Sequence, residues 1–134
     1  MTFMGAIANG GKAAVPRLVS SVTSLDTGLP SSWTTTTQTG TLIEPNTAAE
    51  VKAMMKNNVV QTYGKDRFRE MDVGAKSGTA EVGGGKRPNA WFAGFLDDPA
   101  HPYAFIVLVE NGGGGASVAG QIAASVLRAC VDKF

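Results

Sequence analysis

Val73-Gly74-Ala75-Lys76-Ser77-Gly78-Thr79-Ala80-Glu81 is the stretch of this chain best equipped to do chemistry. A lysine inside a β-run usually marks a solvated strand edge. Here small residues flank it on both sides, and strand interiors disfavour glycine unless a ligand or another backbone must come close. The two-residue period of a strand puts Lys76 and Gly78 on one face, leaving space beside the ammonium, and turns the Ser77 and Thr79 hydroxyls to the other. A bare strand edge can pair with an extended acyl substrate. One of its amides can also point at an oxyanion. The stretch therefore offers a cation, hydroxyl donors and open backbone, and it lacks a nucleophile with a base.

Other chemistries find little support. Gly115 and Gly120 have the spacing of phosphate-loop glycines, but Gln121 stands where the phosphate-binding lysine belongs. The segment also follows an antiparallel hairpin rather than a βαβ unit, so Gly112–Gly115 reads as a flexible connection. With one Cys (Cys130, read as a buried thiol) and one His, neither a disulfide nor a His/Cys zinc site is expected. A net charge of +1, with Lys and Arg scattered, gives no footprint for nucleic acid. No run of 18 apolar residues marks a membrane span, and no signal peptide is visible. Hydrophobic residues at 43% and charged residues at 17% are sufficient for a buried core.

The elements that must position the strand follow from periodicity. Residues 1–10 read as the last turns of a helix with Phe3 and Ile7 on one face, stopped by Asn9-Gly10-Gly11, as though the chain began within an element. Residues 11–46 read as a peripheral β-hairpin turning at Asp26–Pro30, with Thr34–Thr37 as a solvated strand face. A helix is predicted over 47–63, capped by a Thr47/Glu50 box and striped by Ala48, Val51, Met54, Met55 and Val59. Three strands follow over 71–110: about Met71–Val82, Asn89–Leu96 and Tyr103–Glu110, the last apolar enough to be buried on both faces. Their short connections favour antiparallel pairing. Trp91 and Phe92 read as packing. A final helix over 116–133 carries Ala119, Ile122, Ala123, Val126, Leu127 and Cys130 on one stripe. The fold class is α+β, an antiparallel sheet packed against helices.

At this point a resemblance becomes specific. Lys76-Ser77-Gly78-Thr79-Ala80-Glu81, then Asn89-Ala90-Trp91-Phe92-Ala93-Gly94-Phe95, then a hydrophobic strand and a Gly-rich lead into a final helix, resembles the penicillin-binding transpeptidases. Ala6-Ile7-Ala8-Asn9-Gly10-Gly11 upstream adds to it, and Ser77 replaces the threonine of the family's Lys-Thr-Gly. The likeness is weakest over 13–43. It implies that residues 1–134 are a C-terminal piece of a transpeptidase domain with a partial β-lactamase/transpeptidase-like fold: three C-terminal strands plus the final helix.

By that resemblance Lys76 would hydrogen-bond the serine of the family's middle motif and help orient the substrate carboxylate. Ser77 and Thr79 would donate to that carboxylate, the Thr79 amide would form half of an oxyanion hole, and Gly78 would keep the cleft open. No metal or other cofactor is implied. The implied partners are the peptidoglycan stem peptide, β-lactams and the remainder of the domain, at the extracytoplasmic face of a bacterial membrane. Neither Ser-x-x-Lys nor Ser-x-Asn occurs in the chain, so the chain alone is expected to be inactive. A sheet short of two strands is also expected to associate with itself. The competing readings are a non-catalytic β-lactam sensor or degenerate binding module, and an unrelated α+β interaction domain.

Overall fold

A computed structural model describes residues 1–33 and 35–133, the side chains of Ser31, Ser32, Trp33 and Lys65 aside. The sheet is built by tight turns. Gly83, Gly84 and Gly85 all take positive φ, between 61° and 70°, a conformation that side-chain-bearing residues rarely adopt. They reverse the chain between β3 (Val73–Ala80) and β4 (Asn89–Leu96). A second reversal leads into β5 (Ala104–Val109), and the three strands pair antiparallel in the order β3-β4-β5. The registers Gly78↔Trp91↔Leu108 and Ser77↔Phe92↔Val107 fix which side chains share a face.

One face carries the main core. Phe92 is fully buried, stacked on Phe68 at 5.9 Å and Phe105 at 6.3 Å, with Tyr63 edge-on at 5.0 Å. The final helix α3 (Gly120–Lys133) lays Ala123, Ala124 and Leu127 on this cluster; the alanines let its backbone lie close. The opposite face carries a smaller cluster around Phe95, packed by Ile7 of α1 (Thr2–Ala8) and Met55 of α2 (Pro45–Asn58).

Several details depart from the periodic reading. Pro45 occupies the first helical position of α2 and Glu44 its N-cap, without a side-chain capping bond. Thr47 therefore lies a turn inside, and the expected Thr47/Glu50 box does not form; proline's fixed φ starts the helix earlier. The helix ends at Asn58 and passes into a π-turn (Val59–Gly64) and a 3₁₀ turn (Lys65–Phe68). In β5, Phe105, Val107 and Val109 face the core, but Ile106 and Leu108 remain 45% and 44% exposed. An apolar run signals only that both faces can be buried; among the described residues nothing covers the second. Ile122 and Val126 of α3 and Phe3 of α1 likewise face outward, and Cys130 is only half-buried.

Between α1 and α2 a small antiparallel pair, β1 (Ser21–Thr23) and β2 (Pro30–Trp33), projects from the body. Thr35, Thr36 and Thr37 are exposed but belong to no strand, and Thr34 of the expected threonine face lies outside the described residues. The Gly112–Gly115 connection is held rather than slack. Gly113 N–H donates to Pro88 O at 2.8 Å, and Gly115 is packed against the carbonyls of Gly78 and Trp91.

Candidate active-site strand

β3 changes character at its middle. Val73, Gly74 and Ala75 are buried, whereas Lys76 and Thr79 are exposed and Ser77 and Gly78 half-buried. Alternation places Lys76 on the α2 face, where it borders a groove of about 410 Å³ with Met54, Met55, Asn58, Gln61 and Thr62. Its Nζ donates to Ser77 O at 2.8 Å. Thr79 lies on the α3 face, and its Oγ1 accepts from Gly115 N–H at 3.4 Å. Gly78 is hemmed in from across the sheet: a Cβ there would lie 3.3 Å from Trp91 Cβ. The chain thus brings Lys76, Ser77, Gly78 and Thr79 to one strand end, between the groove on one face and the glycine connection on the other.

The outer edge of β3 is occupied up to Ser77. Ser77 N–H donates to Tyr63 Oη at 2.7 Å, and Tyr63 Oη donates to Ser77 Oγ at 3.0 Å. Asn58 Nδ2 donates to both Ala75 O and Tyr63 Oη at 3.0 Å, and Thr62 Oγ1 donates to Asn58 Oδ1 at 2.9 Å. By the strand period the Thr79 amide points along the same edge, beyond Tyr63. Burial opposes ionisation of the Tyr63 phenol. Hydrogen bonding with the Ser77 hydroxyl and amide and with Asn58, which favours the phenolate, is aided by the charge of Lys76, outweighs burial and holds the pKa below the usual 10.0.

Ion pairs fix the helix that delivers Asn58 and Tyr63. Lys52 Nζ lies 2.7 Å from Asp97 Oδ1 and donates to Ala8 O near the C-terminal end of α1, where a cation is favoured. Lys56 bridges Asp72 at 2.5 Å and Asp97 at 3.1 Å, clamping α2 to the start of β3 and the end of β4. The Asp72 hydrogen bond is the main influence raising the Lys56 pKa, against partial burial and with help from Asp97.

Sequence reasoning missed Tyr63 and Asn58, which it read only as the end of a helix. A tyrosine pairs an apolar ring with a polar tip that seeks a partner when buried. That partner lies fourteen residues on, across a π-turn that periodicity does not foretell.

Comparison with known proteins identifies the family. Residues 1–128 match the family model of the penicillin binding protein transpeptidase domain. The chain is 33% identical over 130 residues to the peptidoglycan D,D-transpeptidase PbpA of Mycobacterium tuberculosis, covering 94% of this chain and 26% of that protein. It is 34% identical over 129 residues to PbpA of Mycolicibacterium smegmatis, covering 93% and 26%. Among solved structures it resembles a ceftriaxone acyl-enzyme complex of penicillin-binding protein A from M. tuberculosis, with TM-score 0.80, 31% identity, and 96% of this chain and 30% of that one covered. The D,D-transpeptidase domain of a peptidoglycan glycosyltransferase from Eggerthella lenta gives TM-score 0.78 and 26% identity, covering 95% and 30%. The chain spans about a quarter of the length of the curated relatives it matches. From its matched residues and its antiparallel α+β sheet alike, the chain belongs to the penicillin-binding protein transpeptidase domain family.

Proposed function

We infer that this chain forms the C-terminal part of a peptidoglycan D,D-transpeptidase acting at the extracytoplasmic face of the membrane and acylated by β-lactams. The observation that carries the reading is the second half of β3, where Lys76 borders the groove, Ser77 and Thr79 present hydroxyls from the other face, and the strand edge runs on past Tyr63. In this reading a serine supplied by the rest of the domain attacks the carbonyl of the stem peptide's penultimate D-alanine. The terminal D-alanine leaves, and an amine takes the acyl group. Lys76 orients the middle-motif serine and the carboxylate, Ser77 and Thr79 donate to that carboxylate, and the Thr79 amide donates to the oxyanion. Preorganised donors of this kind are typically worth about 10²–10³ in rate. The uncovered edge of β5, with Ile106 and Leu108, is where the remainder of the domain packs, and isolated chains cover it by self-association.

The test uses a fluorescent penicillin on the isolated chain and on the longer protein that carries it. The isolated chain stays unlabelled after denaturation, because it holds no Ser-x-x-Lys serine with a base to activate it. The longer protein is labelled, and Lys76→Ala lowers its labelling rate about a hundredfold or more. Label that survives denaturation on the isolated chain, or an unaffected Lys76→Ala variant, overturns the reading.

A further inference from the structure

We propose that Tyr63 is a positioning residue that fixes the direction of the Ser77 hydroxyl, reserving its proton for a carboxylate on the ligand. The inference rests on the role given to Ser77 above and extends it to a residue outside the strand.

The argument is one of hydrogen-bond capacity. The Asn58 amide is oriented without ambiguity: the Ala75 carbonyl can only accept, so Nδ2 faces it at 3.0 Å, and Oδ1 takes the Thr62 hydroxyl at 2.9 Å. The second Nδ2 hydrogen goes to Tyr63 Oη at 3.0 Å. Ser77 N–H goes to the same oxygen at 2.7 Å. A phenolic oxygen has two lone pairs and one proton. Both lone pairs are now filled, so the single proton must go to Ser77 Oγ, 3.0 Å away. Ser77 cannot donate back to Tyr63. Its own proton is left for another acceptor, at the strand end where Lys76 and Thr79 also face the ligand.

Packing alone does not account for this arrangement. Tyr63 is buried with its ring edge-on to Phe92, and a phenylalanine would make the same ring contact. The hydroxyl is the part that needs another reason. Without it the Ser77 hydroxyl would be free to turn, and as often as not would present a lone pair to an anionic ligand.

The experiment uses the longer transpeptidase that carries this chain and compares acylation rates with benzylpenicillin and with its methyl ester, which lacks the charged carboxylate. Tyr63→Phe slows acylation by benzylpenicillin about five- to tenfold, a fraction of what a hydrogen bond to a charged group contributes. It changes the rate with the ester by less than about twofold, where only a neutral acceptor is left. In a Ser77→Ala background the same substitution adds nothing further.

Equal losses with both ligands, or an undiminished effect in the Ser77→Ala background, would mean that Tyr63 only supports the fold, and would overturn the proposal. If Ser77→Ala slows acylation while Tyr63→Phe does not, the positioning role alone is wrong. If Ser77→Ala itself is silent, the carboxylate role of Ser77 fails first and takes this proposal with it. Should Tyr63→Phe lose its native thermal transition, Asn58→Ala answers the same question. It frees a lone pair on Tyr63 that Ser77 can donate to, so acylation slows about two- to threefold with benzylpenicillin and not with the ester. An unchanged ratio between the two ligands overturns the proposal.

Discussion

The two halves of β3 share one strand and one partner, yet they are built to opposite requirements. Val73–Ala75 are buried, and Gly74 there makes room for a ring: a Cβ would collide with Phe95, with Cε2 at 2.6 Å and Cε1 at 2.9 Å. Across the ladder Gly94 pairs with Ala75, and a Cβ on it would meet Ala75 Cα at 2.9 Å as well as the Gly74 carbonyl. Four residues on, a Cβ on Gly78 would meet only the Trp91 side chain, at 3.3 Å from its Cβ, a contact that can relax by a few tenths of an ångström. The first half holds Gly74 because the core leaves no volume for a side chain there. The second carries Gly78 against a side-chain carbon that can give way, and Lys76 beside it borders the groove. Glycine in a strand therefore carries two meanings that only packing distinguishes.

Substituting the two glycines breaks the strand at different levels. Gly94→Ala forces backbone against backbone, which no rotamer change relieves, and should cost about 3 kcal/mol of stability, the upper end of overpacking. Gly78→Ala should cost less than about 1 kcal/mol, since a side-chain carbon can give way. Urea unfolding midpoints separate them. Equal losses would mean that the second half is as tightly packed as the first, and the contrast between the halves would fall.

That contrast was partly legible in the sequence. Lys-Ser-Gly-Thr among small residues marked the open half, and the two-residue period placed Lys76 and Ser77 on opposite faces. The Asn89–Leu96 boundaries of β4 came from its composition between glycine and aspartate turns. The anchoring of the first half was not legible. It depends on Gly74 lying under Phe95, a register fact, and on Asn58 reaching Ala75 O from a helix whose end periodicity overran. β5 shows the same limit: its apolar run was visible, but the exposure of Ile106 and Leu108 depends on which elements lie opposite. Patterns along a chain report which surfaces tolerate burial. Contacts between distant elements decide which are buried.

The charge cluster that steadies the anchored half should show itself in pH dependence. Burial pushes the Asp97 carboxyl up, but its bonds to Lys52 and Lys56 prevail and hold the pKa below 3.8. A depressed carboxyl contributes stability above its unfolded value and loses it as pH falls through the folded value. Lys56, raised above 10.5, contributes fully below that value and loses it as pH rises through the folded one. The cluster therefore acts across the whole range between. Asp97→Asn should lower neutral-pH stability by about 1 kcal/mol, as befits a partly exposed network. Its unfolding curve should converge with that of the unsubstituted chain in acid. A gap of constant size down through the acid limb would assign the loss to packing instead of charge.

The smallest effect lies at the seam between the halves. Tyr63 binds the amide and hydroxyl of Ser77 while Asn58 binds both it and Ala75 O, so one phenol marks where the anchored edge stops and the open edge starts. In a Tyr103→Phe background, which leaves Tyr63 as the only tyrosine of the chain, alkaline difference spectra should show it ionising below 10.0, because Ser77, Asn58 and Lys76 favour the phenolate more than burial disfavours it. Ser77→Ala removes the hydroxyl but keeps the amide, so it should move the transition only part of the way back. Lys76→Ala should move it less, since the lysine acts on Tyr63 through its charge alone. A larger response to Lys76→Ala than to Ser77→Ala would place Tyr63 under the control of the open half, and the boundary would then lie one residue earlier in the strand.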